Sequence, residues 1–196
     1  MPYFILSFSC DHDNQLLWSN FAHFDGINLE IDFAKFEREL NHIIRWHGLV
    51  NYNLESQKEC LRKTFYKELL YVEDFGKIKS LKEINGLTGE KYEMIITHIA
   101  IICTLYSMFF KRNHFNGENE YRFVFCNLSA DYINFRIRKD LIVPYIEKKV
   151  KDIDFITKIT LGPTNKSDMA VNGIRELLHH YNKDVDVVRS KIQLRF

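Results

Sequence analysis

Alternating and helical hydrophobic patterns follow one another along the chain with no linker between them. Residues 3–9, Tyr-Phe-Ile-Leu-Ser-Phe-Ser, have the aromatic and branched composition of a strand. Residues 16–22 fit one or two helical turns. From Asn28 to Phe33, Leu29, Ile31 and Phe33 alternate with Glu30 and Asp32, which predicts a strand with one apolar face. The spacing of Phe36, Leu40, Ile43 and Ile44 predicts a helix over 34–45, ended by Gly48. A strand over 49–53 and a helix over 55–71 follow, and Gly76, Gly86 and Gly89 mark 76–90 as loop or short helix.

The second half opens on a long apolar segment. Residues 94–110 carry no formal charge, but a spanning helix needs about 20 apolar residues, and His98, Thr97, Thr104 and Ser107 dilute this run. The reading is a helix over 90–112 buried in the domain centre. Residues 121–127 have few polar side chains and suit a central strand. Residues 132–138 alternate cleanly and are expected to pair with them as a hairpin through a turn at 129–131. A strand over 153–161 is stopped by Gly162-Pro163. Ser167 caps a helix reaching about Tyr181, with Asp168 at its positive end, and 186–192 form a last strand. The pattern predicts a single α+β domain over 1–196, with a mostly antiparallel mixed sheet and about four helices, one of them long and buried.

Composition narrows the function classes. Hydrophobic residues make up 46% of the 196 and charged residues 27%, enough for a full core and wrong for a disordered chain. Lys and Arg number 27 against 26 Asp and Glu, so bulk charge excludes a strongly basic nucleic-acid binder. Only the local group Arg136, Arg138, Lys139, Lys148, Lys149 and Lys151 offers a basic patch. The four cysteines are far apart with no C-x-x-C pair, which predicts reduced thiols in a cytoplasmic protein, three of them filling apolar surroundings. The N-terminus has no basic region and no small-residue cleavage site, so no signal peptide is expected, and neither is a membrane partner.

The sharpest chemical feature is Glu118-Asn119-Glu120-Tyr121-Arg122. If these residues are extended, Glu118, Glu120 and Arg122 point to one side. Two carboxylates so close repel unless a cation or ligand relieves them. Arg122 makes this an ion-paired strand entry; the alternative is a carboxylate pair that holds ribose hydroxyls or acts as a general base. Ser7 and Ser9, followed by Trp18, suit a ligand platform of hydroxyls and a stacking ring; the plainer reading is outward serines and a core tryptophan. Cys10-Asp11-His12-Asp13 are consecutive and cannot all converge on one metal ion, so no metal is expected. Dinucleotide, phosphate-loop and nucleophile-elbow motifs do not occur.

Five segments together resemble the bacterial family catalogued as domain of unknown function 2971: Phe8 to Ala22, Gly26 to Asp32, Gly117 to Val124, Ile159 to Pro163 and Val187 to Arg195. The family's E-x-E-aromatic-R pattern falls on Glu118, Glu120, Tyr121 and Arg122, its tryptophan on Trp18, its glycine on Gly26 and its closing arginine on Arg195. Phe21 departs from it, standing where an aromatic hydroxyl is common. Family members also carry a preceding segment with two further strands, which this chain starts after. The resemblance implies a defence-associated setting and a binding or partner-completed role, with a protein partner or a homodimer through an open edge near residues 3–9. Longer members are similar to ADP-ribosyltransferases. That likeness implies NAD as substrate, with Glu120 as the essential carboxylate on the nicotinamide ribose and Glu118 acting on the acceptor.

Overall fold

The computed structural model describes residues 2–71, 86, 88–126 and 132–194. Its elements are β1 (Phe4–Ser9), α1 (Gln15–Ala22), β2 (Ile27–Ile31), α2 (Phe33–Leu40), β3 (Ile44–Leu49), α3 (Leu54–Tyr71) and α4 (Glu90–Ser107). A 3-10 helix (Asn113–Glu118), β4 (Glu120–Phe125), β5 (Ile133–Arg138), β6 (Leu141–Ile146), β7 (Ile156–Leu161), α5 (Asp168–His180) and β8 (Asp186–Arg189) follow. The class is α+β with mixed, mostly antiparallel sheets, as the sequence predicts. Six helices, rather than about four, stand among the described residues: five α-helices and the 3-10 turn. The chain's contacts gather into two compact units, Met1–His47 with Gly117–Phe196, and Gly48–Asn116.

Among the described residues the strands form three small sheets where one mixed sheet was expected, with strand orders β1-β4-β3, β2-β7-β8 and β5-β6. β1 lies antiparallel to β4, with Phe4 opposite Phe125, Ser7 opposite Arg122 and Ser9 opposite Glu120. The expected hairpin between 121–127 and 132–138 does not form. β5 instead folds back on β6, with Phe135 opposite Pro144 and Arg138 opposite Leu141. Pro144 hides β6 from a sequence reading, because proline is tolerated only where a strand edge needs no N–H donor. The expected turn at 129–131 lies outside the described residues.

α2 is shorter than predicted. The Asp32 carboxylate accepts the Lys35 backbone N–H at 3.0 Å, which ends β2 and starts the helix one residue later. Leu40 closes the helix, and Ile44 then begins β3, so the last apolar positions of the apparent helical stripe belong to a turn and a strand. Phe36, Leu40, Phe123 and Phe125 form one core, with Phe4, Phe8, Ile31 and Ile146 against it. Each such side chain contributes about 1.5–3 kcal/mol by leaving water. A second core joins Ile159 and Leu161 of β7 to Val171 and Leu178 of α5 and Val187 of β8. There α5 crosses between two parallel strands, β7 and β8. Gly162 ends β7 where a side chain has no room: a Cβ would lie 2.5 Å from the Phe24 carbonyl oxygen.

The second unit pairs α3 with α4, tied by a Thr64–Tyr106 hydroxyl contact of 2.6 Å. Gln57 clasps its ends, its amide N–H donating to the Asn51 and Lys111 carbonyls at 2.6 and 2.9 Å. The long helix is not the buried one expected. Ile95 and Ile102, seven positions apart, are buried, while Met94 and Ile101 are 55% and 58% exposed. Apolar residues surround the helix, but only one narrow stripe of it is covered. No helix among the described residues is long and apolar enough to cross a membrane. The cysteines are free thiols; only Cys126 is buried and Cys10 and Cys103 are exposed, so the expectation of three core-filling cysteines fails.

Candidate functional site

β1 and β4 bring together most of the residues that the sequence singles out. Because side chains alternate along each strand, Ser7, Ser9, Glu120 and Arg122 share one face, with Ser9 opposite Glu120 and Ser7 opposite Arg122. Glu120 is buried and its carboxylate accepts the Arg122 Nε–H at 2.6 Å. Glu118 is buried as well, but it does not continue the strand. It closes the 3-10 turn, and Asn119 follows with φ 43°, a left-handed residue that breaks the extended run assumed for 118–122. The Ser9 hydroxyl donates to the Glu118 backbone carbonyl at 2.9 Å. Ser7 is exposed. Trp18 is a core residue of α1, donating its indole N–H to Asp13 at 2.8 Å.

The opposite face of β4 carries Tyr121, Phe123 and Phe125. Tyr121 and Phe123 line a cleft of about 530 Å³ with Phe8 and Phe33, and β2 and β7 close it with Asn28, Glu30 and Lys158. Lys158 and Glu30, opposite each other on these two neighbouring strands, pair at 3.3 Å. Beside the cleft runs a relay that the sequence does not reveal. The Tyr121 hydroxyl lies 2.6 Å from His47 Nδ1, and His47 Nε2 lies 3.2 Å from a Glu37 carboxylate oxygen. Phe33 packs edge-on against Tyr121 at 5.2 Å and holds the ring in place. Burial, helped by the nearby Glu37 and Cys10, raises the Tyr121 phenol above its ordinary range, so it stays protonated at neutral pH. Strict alternation on β4 was the signal that would have separated Tyr121 from its charged neighbours.

A third feature is a groove of about 610 Å³ on the same unit. One wall is the start of β1 and the residue before it, the consecutive Tyr3, Phe4, Ile5 and Leu6. The other is β6, contributed by Pro144, Tyr145 and Ile146. Consecutive residues line a groove when a strand presents its edge to it, since a strand face offers only every second residue. β1 is the outer strand of its sheet among the described residues. Phe36, Leu40 and Phe125 form the floor, and Arg136 and Lys148 stand at the rim.

Among the described residues no three His, Cys, Asp or Glu side chains are grouped to hold a metal ion. Asp13, within the Cys10–Asp13 run, is bound instead by Trp18, the Ser190 hydroxyl at 2.7 Å and the Lys191 backbone N–H at 2.9 Å. No family model, curated protein or solved structure matches the chain.

Proposed function

We propose that this protein acts by binding, accepting an extended segment along the edge of β1 so that another chain completes its sheet. The observation that carries the reading is the groove with a strand edge on each side and an apolar floor between them. Edge strands present rows of N–H and C=O groups, and strand addition uses those groups for affinity and side-chain pockets for selectivity. β1 holds no charged residue and no proline, the features that ordinarily block such pairing. The resemblance of the sequence to the domain of unknown function 2971 family suggests a defence-associated setting, in which a chain completed by a partner is at home.

The test uses the full chain and a Leu6→Lys variant, which places a charge at the groove wall. Each is challenged with phage-displayed random decapeptides, and each is followed by light scattering over a wide concentration range. Peptide binding or dimerisation that Leu6→Lys removes, with an unchanged unfolding midpoint, supports the reading. Neither event in the wild type overturns it.

A second reading, an NAD-consuming transferase or glycohydrolase, rests on Ser7, Ser9, Glu120 and Arg122 sharing one face. Against it, a ribose held by Glu120 would have to replace Arg122 at a buried carboxylate. It requires nicotinamide release by the purified protein and loss of that release in Glu120→Gln with the fold intact.

A further inference from the structure

Resting on the strand-accepting reading, we infer that the groove takes a single extended peptide segment, apolar at alternate positions and carrying a carboxylate near one end, and not the β1 edge of a second copy. The walls decide the first part. An edge of a second copy would arrive with its own β4 attached to the far side of its β1. In the groove β6 lines the side opposite β1, so a second copy's β1 would bring its own β4 against β6, whereas a single strand brings no sheet behind it. A strand seated there would pair with β1 and lie against β6, whose Pro144 offers no N–H at that edge.

The floor decides the side-chain pattern. Phe36 and Leu40 are 6% and 5% exposed and belong to the core that also holds Phe4 and Ile146. Every second residue of the incoming strand points down onto this apolar surface, and the residues between point away from it. Four consecutive residues, Tyr3 to Leu6, line the groove on one side, so the stretch paired there spans about 13 Å. The hairpin register sets Phe135, Ile137, Ile142 and Pro144 on one face, and Ile137 and Ile142 are 82% and 74% exposed.

Charge decides the last part. Arg136 and Lys148 border the groove and, among the described residues, no acidic side chain lines it. Arg136 is steadied over the Tyr145 ring at 5.3 Å, and Lys148 hydrogen-bonds His42 Nε2 at 3.1 Å. Both cations are therefore held at the rim, where a carboxylate on the segment pairs with an oriented guanidinium.

Sequencing the decapeptides retained by the full chain tests this. Retained peptides should be apolar at alternate positions and enriched at least fivefold in Asp or Glu at one flank. The double variant Arg136→Gln, Lys148→Gln should lose the acidic enrichment and keep the apolar alternation. Binders without acidic enrichment, or enrichment that survives the double variant, overturn the carboxylate. A dimer that Leu6→Lys dissolves, with no peptide retained, overturns the single segment while leaving strand acceptance standing. No peptide and no dimer overturns both.

Discussion

Burial alone would raise the Asp13 carboxyl, yet hydrogen bonds from Trp18, Ser190 and Lys191, helped by His12, outweigh it and hold the group below its ordinary value. The folded state therefore prefers the carboxylate more than the unfolded chain does. That preference stabilises the fold above the unfolded carboxyl range, near about pH 4, and is lost as pH falls through the lower folded value. Asp13→Asn should cost about 1–2 kcal/mol at pH 7, after allowance for partial solvent screening. Urea unfolding of both proteins should show the gap narrowing from pH 7 to pH 3. A constant gap would mean that Asn replaces the carboxylate's shape but the charge never mattered. Glu120 makes the complementary case, a charge buried beside its partner. Glu120→Gln leaves the Arg122 guanidinium next to a neutral amide and should lower stability by about 3 kcal/mol. Pairing Glu120→Gln with Arg122→Met should recover part of that loss, measured by the same denaturation. At this scale the sequence exposes the charged residues, because carboxylates one residue apart demand an explanation. It hides Tyr121 and His47, since their contact joins residues 74 positions apart and no local spacing records it.

Elements were legible where their own residues decide them. β1, α3, α5 and β5 lie close to their expected bounds because composition, periodicity and caps agree there. Boundaries failed where a tertiary partner overrides the local pattern: Ile43 and Ile44 complete a helical stripe by spacing but leave it for the turn and strand beside β4. The β5–β6 hairpin shows the same limit and yields a prediction. Its turn residues Lys139 and Asp140 both have positive φ, 46° and 62°, the signature of a tight two-residue hairpin turn. Lys139 does not favour that region, which costs an ordinary residue about 1–2 kcal/mol, and Asp140 tolerates it less freely than glycine. Replacing the pair by Asn-Gly should stabilise the hairpin, raising the unfolding free energy by about 1 kcal/mol. Amide exchange in residues 133–146 should slow in step, and an unchanged or faster exchange would show that the hairpin is anchored at its base and indifferent to its turn.

Across the whole molecule, sheet pairing joins distant parts of the sequence. β1 finds β4 across more than a hundred residues, and β2 finds β7 across a similar gap. No pattern within a single strand names so remote a partner, which is why three sheets were read as one. The same separation sets the order of folding. Closing such loops costs entropy before the paired strands repay it, so sheet assembly is slow while helices form within about a microsecond. Asp13 provides the reporter: it holds Trp18 at 2.8 Å and Ser190, 177 positions along the chain, at 2.7 Å. The chain has two tryptophans, so Trp46→Phe leaves Trp18 alone to fluoresce. In stopped-flow refolding the helical ellipticity should be complete within the dead time, and the Trp18 signal should follow in about 0.01–1 s. Asp13→Asn should slow that phase only if the bridge to Ser190 forms before the rate-limiting step; an unchanged refolding rate with faster unfolding places the bridge after it. Simultaneous helix and Trp18 signals would show that the distant strands are already gathered when the helices appear, contrary to the loop-closure argument.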